Sequence, residues 1–250
     1  MPNYITHALC ANDALQGIVD IPLKRTIQEN VQVFTLGSSG PDFIFYYRTF
    51  PWLDQSKNKE VHAIGQIVHS QAVNAFYKCA IEKVLNETNS HKKEILLTYL
   101  SGHLMHYALD TCAHPFVFYR SGEMKGKTKY WHYRYESMID TLMVKQIKKI
   151  DLAHIDAIKL VDSSKENRKI ISEFYASIVH EVYQLNDDAL IYEECFETMP
   201  EVVKWLFDPH NLKFSWIQNI EKLAKQEWMF SSHMVIGKMD KGHDILNLNH

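Results

Sequence analysis

GHLMHYALDTCAHP, residues 102 to 115, is the stretch from which the rest of the chain can be read. On a helix, residues four apart share a face, so His106, Asp110 and His114 form one column of imidazole, carboxylate and imidazole. Such a column binds metal. WHYRYESMID, residues 131 to 140, repeats the device with His132 and Glu136, again four apart. A lone histidine on an apolar helix face is usually a hydrogen-bonded core residue. Two registers of acid and imidazole groups reverse that expectation, because burying Asp110 and Glu136 without a cation costs on the order of several kcal/mol.

Upstream, long stretches of 3.6-residue period with 9 Gly and 7 Pro in 250 residues predict an all-α protein. Thr6 is the expected N-cap of a first helix with Ala8, Ala11, Leu15 and Ile18 on its apolar face. A second helix is expected over about 21–34, ending at LGSSGPDF. The GSSGPD turn would present Asp42 from a loop, and it is not a P-loop, since the Gly-Lys-Ser/Thr ending is missing. FIFYYRTFPW, residues 43 to 52, reads as core packing or the wall of a cleft. A third helix is expected over about 59–87, with His62 and His69 on one face. A fourth begins near Asn89 or Ser90 and ends at Pro115.

Downstream of the His132 and Glu136 helix, ENRKIISEFYASIVHEVYQL, residues 166 to 185, is amphipathic, and two or three further helices follow. His154, His180, His210, His233, His243 and His250 are isolated and read as structural. The last dozen residues are expected to fray. The whole is expected to be a single-domain multi-helix bundle over 1–250, with metal ligands in 1–145 and helical completion in 146–250.

Composition narrows the function classes. The net charge of -3 argues against a dedicated nucleic-acid binder. Cys10, Cys79, Cys112 and Cys195 are widely spaced with no CxxC pair and read as reduced thiols. The first residues show neither the charged start nor the apolar block of a secretory leader, and no run suits a membrane span, so a cytoplasmic protein is expected unless a leader has been removed. From spacing alone, the looser ligand candidates are His7, Asp42, His62, His69 and His103, the last offset by three from His106.

THAL at residues 6 to 9, LGSSGPDFIFYY at 36 to 47, IGQIVHSQ at 64 to 71, GHLMHYALDTCAHPFV at 102 to 117 and HYRYESMID at 132 to 140 occur in an order that resembles the bacterial zinc-dependent phospholipase C family, related in fold to the P1-type nucleases. The resemblance covers about residues 4 to 145. It implies an all-helical fold with two or three zinc ions in a cleft. It further implies that Asp42, His69, His106 and Asp110 hold one zinc, and that Asp110 bridges to a second, held by His7 and the N-terminal residue. A third would sit with His114, His132 and Glu136. By the same resemblance His69 is the ligand rather than His62, and His106 rather than His103.

Zinc suits phosphodiester hydrolysis, since it binds phosphate oxygens and acidifies water. Asp42 is the candidate catalytic base, and Asp140 a candidate partner for an imidazole N–H. The expected reaction is phospholipase C-type cleavage of a phospholipid to diacylglycerol and a phosphorylated head group, with peripheral membrane contact by the catalytic domain itself and no stable nucleic-acid binding. Two other readings are a phosphodiesterase or nuclease on a soluble substrate, and a non-catalytic metal- or lipid-binding member of the family. Nothing in the sequence sets the oligomeric state.

Overall fold

The computed structural model describes residues 3–224 and 229–238. The helices, in chain order, are α1 (Tyr4–Gly17), α2 (Ile21–Glu29), α3 (Val31–Gly37), a 3-10 helix (Gly40–Tyr46), α4 (Asn58–Ser70), α5 (Val73–Asn86), α6 (Ser90–Ser121) and α7 (Lys127–Leu142). After a π-helical turn at Met143–Lys148 come α8 (Lys165–Tyr183), α9 (Ala189–Leu206), α10 (Phe214–Ala224) and α11 (Phe230–His233). Among the described residues the strands are two residues long, Phe207–Asp208 and Val235–Ile236, and pair in parallel. The protein is all-α, as its periodicity predicts. Among the described residues no helix is long and apolar enough to cross a membrane.

Packing divides the chain into two compact units. The larger comprises Ala11–Tyr107 and Ile158–Val202; the smaller comprises Met1–Cys10, Ala108–Ala157 and Val203–His250.

In the larger unit, Ala11, Leu15, Ile27 and Phe34 are buried together, with Ile18, Leu23 and Met105 against them. The helix expected over 21–34 is two helices. The chain breaks at Asn30, at φ -123°, whose side-chain amide donates to Thr26 O and so satisfies a carbonyl that the helix end exposes. The helix expected over 59–87 is also two, because Gln71 is extended and Ala72 left-handed at φ 49°. That break resets the register: Phe76, Ala80 and Val84 stay buried while Ile81 turns outward.

Helices α3 and α6 touch backbone to backbone. A Cβ on Gly102 would lie 2.1 Å from Phe34 O, and one on Gly37 would lie 2.3 Å from Tyr99 O. Only glycine permits this approach. The following 3-10 helix carries Asp42, so Asp42 comes from a helical turn and not from the expected loop. Its Phe43 stacks on Phe196 at 3.9 Å and meets Tyr175 edge-on at 4.9 Å, anchoring the turn in the core. Of the aromatic run, Phe43 and Tyr47 are core, whereas Trp52 is exposed.

In the smaller unit, α1 begins before its expected cap. Asn3 receives the Tyr4 N–H on its side chain and the Thr6 N–H on its carbonyl, and Thr6 lies inside the first turn. Helix α6 starts in the larger unit, capped by Asn89 through Lys92 N–H at 3.0 Å, and does not stop at Pro115 but continues to Ser121. The proline removes one helical hydrogen bond, a cost of about 3 kcal/mol, while the next turn buries Val117 against Tyr135 and Met138. Helix α7 presents polar groups to the segment around the second strand: Arg134 Nη1 donates to Met234 O at 2.7 Å and Thr141 Oγ1 to Ile236 O at 2.8 Å. His243, His250 and the last dozen residues lie outside the described residues.

Candidate metal centre

The larger unit brings Asp42, His69 and His106 together. His69 and His106 meet edge-on with ring centroids 5.9 Å apart. His106 is seated by the turn before it in sequence: its Nδ1–H donates to Ser38 O at 3.1 Å, and its ring covers Gly40 so closely that a Cβ there would lie 2.3 Å from His106 Cγ. Gly40 also sits at φ +54°, a conformation that glycine adopts without steric cost. The glycine in SSGPD therefore makes room for the imidazole.

His69 is held in the same manner. Its Nδ1 lies 2.7 Å from Gly65 O, an acceptor only, so Nδ1 carries the proton. Its Nε2 lies 2.8 Å from a second acceptor, Asp42 Oδ1, so the ring meets acceptors at both nitrogens. Phe45 stacks against the ring at 5.5 Å and fixes its plane.

The smaller unit repeats the arrangement. His132 Nδ1 lies 3.2 Å from Ser121 Oγ and its Nε2 lies 2.8 Å from Glu136 Oε1. Burial, with His114 adding to it, lowers the His132 pKa to about 3, so the ring is neutral and carries one proton. With that proton on Nδ1, Nε2 faces the carboxylate as a lone pair, the tautomer that a divalent cation between the two requires. His114, His132 and Glu136 each offer a ligand atom within 4.8 Å of the others, which is a nitrogen, nitrogen, oxygen set suited to zinc.

Asp110 divides its oxygens, with Oδ1 3.8 Å from His7 Nε2 and Oδ2 3.6 Å from His114 Nδ1. Asp110 thus addresses two imidazoles with different oxygens. Helix α6 is continuous through His106, Asp110 and His114, so the three follow one another at single-turn intervals.

Other candidates lie elsewhere. His103, three residues from His106, binds Tyr77 instead: Nδ1 is 2.9 Å from Tyr77 Oη, and complete burial lowers its pKa to about 3. His62 meets Phe45 edge-on at 5.7 Å. His233 packs on Tyr133 at 4.2 Å. Asp140 has a different role from the one expected. It binds no imidazole among its described contacts, and its carboxylate receives Ile5 N–H, Thr6 N–H and Thr6 Oγ1 at the start of α1. The N-terminal residue, expected beside His7, lies outside the described residues.

Sequence reasoning did not find Ser38, Gly65 and Ser121, whose oxygens lie against the Nδ1 atoms of His106, His69 and His132. Phe118 lies 4.8 Å from His132 and 5.5 Å from His114 and is partly exposed. It stands four residues after His114 on α6, a spacing that marks it as a neighbour of that ligand.

Searches of curated proteins and of solved structures return no match. A family model, zinc dependent phospholipase C, matches residues 6–192, which is most of the chain and includes the two donor sets. Imidazoles oriented by protein oxygens and opposed to carboxylates, on an all-helical scaffold, are what zinc dependence requires of such a chain, and the protein belongs to the zinc-dependent phospholipase C family.

Proposed function

We propose that the protein cleaves a phospholipid to diacylglycerol and a phosphorylated head group, using zinc held by Asp42, His69 and His106 in one unit and by His114, His132 and Glu136 in the other. His7 and Asp110 are proposed as ligands of a further ion. The observation that carries the reading is the repeated 2.8 Å approach of an imidazole Nε2 to a carboxylate oxygen, at His69 and Asp42 and at His132 and Glu136. Zinc, when bound, supplies Lewis acidity toward phosphate oxygens and lowers the pKa of water.

The chain supplies the proton acceptor and the substrate wall. Asp42 turns Oδ1 toward His69, which leaves Oδ2 to take the proton of the attacking water. As that oxygen bonds to phosphorus, the bond from phosphorus to the glycerol oxygen breaks; the departing glycerol oxygen takes its proton from solvent, and Asp42 returns to solvent the proton it accepted. His69 cannot swing away from Asp42, because Gly65 O holds its other nitrogen. Phe118, with the exposed Phe116 and Tyr119 on the same helix, offers apolar surface to the acyl side of a lipid beside His114 and His132.

The test is a measurement of zinc per chain, with a substrate panel of phosphatidylcholine vesicles, single-stranded DNA and a chromogenic phosphodiester, each with and without chelator. Chelator-sensitive release of diacylglycerol is the expected result. Cleavage of DNA or of the soluble diester in its place would move the substrate to a soluble phosphodiester. Tight zinc with no turnover would leave a binding protein.

A further inference from the structure

Asp140 is completely buried on α7, one turn beyond Glu136. Its carboxylate takes three hydrogen bonds from the first turn of α1: Ile5 N–H at 3.2 Å on Oδ2, and Thr6 N–H at 2.8 Å and Thr6 Oγ1 at 2.6 Å on Oδ1. First-turn N–H groups have no acceptor within their own helix, and a negative charge there is favoured by the helix dipole. A local cap, Asn3, is already present. An exposed residue would serve as a second cap without the cost of burial, which here pushes the Asp140 pKa up to about 7. What the buried carboxylate adds is placement: it fixes α1 against α7 at the residue immediately before His7. A slip of one residue would turn His7 by about 100° and move it by about 1.5 Å, away from Asp110.

We propose that Asp140, assisted by the Thr6 hydroxyl, is a positioning residue that sets His7 for zinc, an inference that rests on the reading of His7 as a ligand. It acts only through α1 and touches no reacting atom. The smaller unit thereby uses one helix, α7, for two purposes: His132 and Glu136 donate to metal directly, and Asp140 orients a donor on another helix.

The experiment compares His7→Ala, Asp140→Asn, Thr6→Val and Thr6→Ser in the full-length protein. Zinc affinities are read by chelator competition, and the cobalt-substituted proteins by their visible spectra. His7→Ala is expected to lose the weakest-bound zinc. Asp140→Asn should weaken that same zinc by about 10- to 100-fold, with the tighter zinc unmoved. Thr6→Val should weaken it by roughly tenfold or less and alter the cobalt spectrum, and Thr6→Ser, which keeps the hydroxyl, should restore wild-type behaviour.

If His7→Ala loses zinc while Asp140→Asn and Thr6→Val bind like wild type, the role of Asp140 is overturned and the ligand reading stands. Uniform loss of all zinc in folded Asp140→Asn also overturns it, as the signature of general destabilisation. Wild-type zinc affinity in His7→Ala overturns the ligand reading itself. Should Asp140→Asn fail to fold, the two Thr6 variants decide.

Discussion

His132 Nε2 and Glu136 Oε1 approach to 2.8 Å on a ring that burial keeps neutral, with Nδ1 3.2 Å from Ser121 Oγ. With the proton on Nδ1 the pair repels without metal and chelates with it. Replacing Glu136 by Gln reverses the sign of that interaction. The amide N–H can donate to Nε2, so metal-free Glu136→Gln should be more stable than metal-free wild type by about 1 kcal/mol. In zinc it should be the less stable protein and should bind one zinc fewer per chain. Urea titrations with and without chelator test the crossover, and parallel losses in both conditions would contradict it.

Gly40→Ala tests whether the SSGPD turn exists to seat His106. The new Cβ would lie 2.3 Å from His106 Cγ and on a backbone at φ +54°. Strain of about 1–3 kcal/mol is expected, and because His106 itself must move, zinc retention should fall further than the melting temperature implies. A variant that melts lower but keeps full zinc affinity would separate backbone strain from ligand placement.

Acid should unfold the protein through buried neutral histidines. Burial lowers the pKa to about 3 at His103, and to about 4 at His233, where Lys129 adds to it. Between pH 6.5 and about 4 the unfolded chain takes up protons on these rings and the native state does not, so stability falls as pH falls. Each contributes on the order of a few kcal/mol across that window. Asp140, raised to about 7 by burial, acts in the opposite sense between about pH 4 and 7 and offsets one of them. His103→Gln should flatten the dependence, as read from denaturation midpoints at pH 7 and pH 4.5.

Phe118→Ala should separate substrate contact from metal binding. The ring touches His114 and His132 from the exposed side and donates nothing to metal. Zinc content should be unchanged, and KM for diacyl substrate should rise about tenfold with kcat nearly constant, the pattern of lost uniform binding. A fall in kcat at constant KM would place Phe118 in orienting the ligands instead.

Much of the donor set is local and therefore legible in the chain. His106, Asp110 and His114 are in register because a helix repeats every 3.6 residues, and His132 and Glu136 for the same reason. Chain breaks were harder to read. Asn30 and Ala72 interrupt helices without glycine or proline, and Pro115 fails to interrupt one, because burial of Val117 on the next turn outweighs a single lost hydrogen bond.

By itself the sequence determined the helical class, the columns of imidazole and carboxylate and the family pattern, all of which follow from spacing along one helix or a few short motifs. Tertiary structure alone decided which nitrogen of each imidazole is turned to protein oxygen. It is Nδ1 in His69, His106 and His132, against Gly65 O, Ser38 O and Ser121 Oγ in that order. It also decided that His103 turns to Tyr77 rather than to the ligand face, and that Asp140 reaches α1. Hydrogen bonds such as that between Asp140 and Thr6 join residues 134 apart in sequence, and no periodicity within one element encodes a direction across that span.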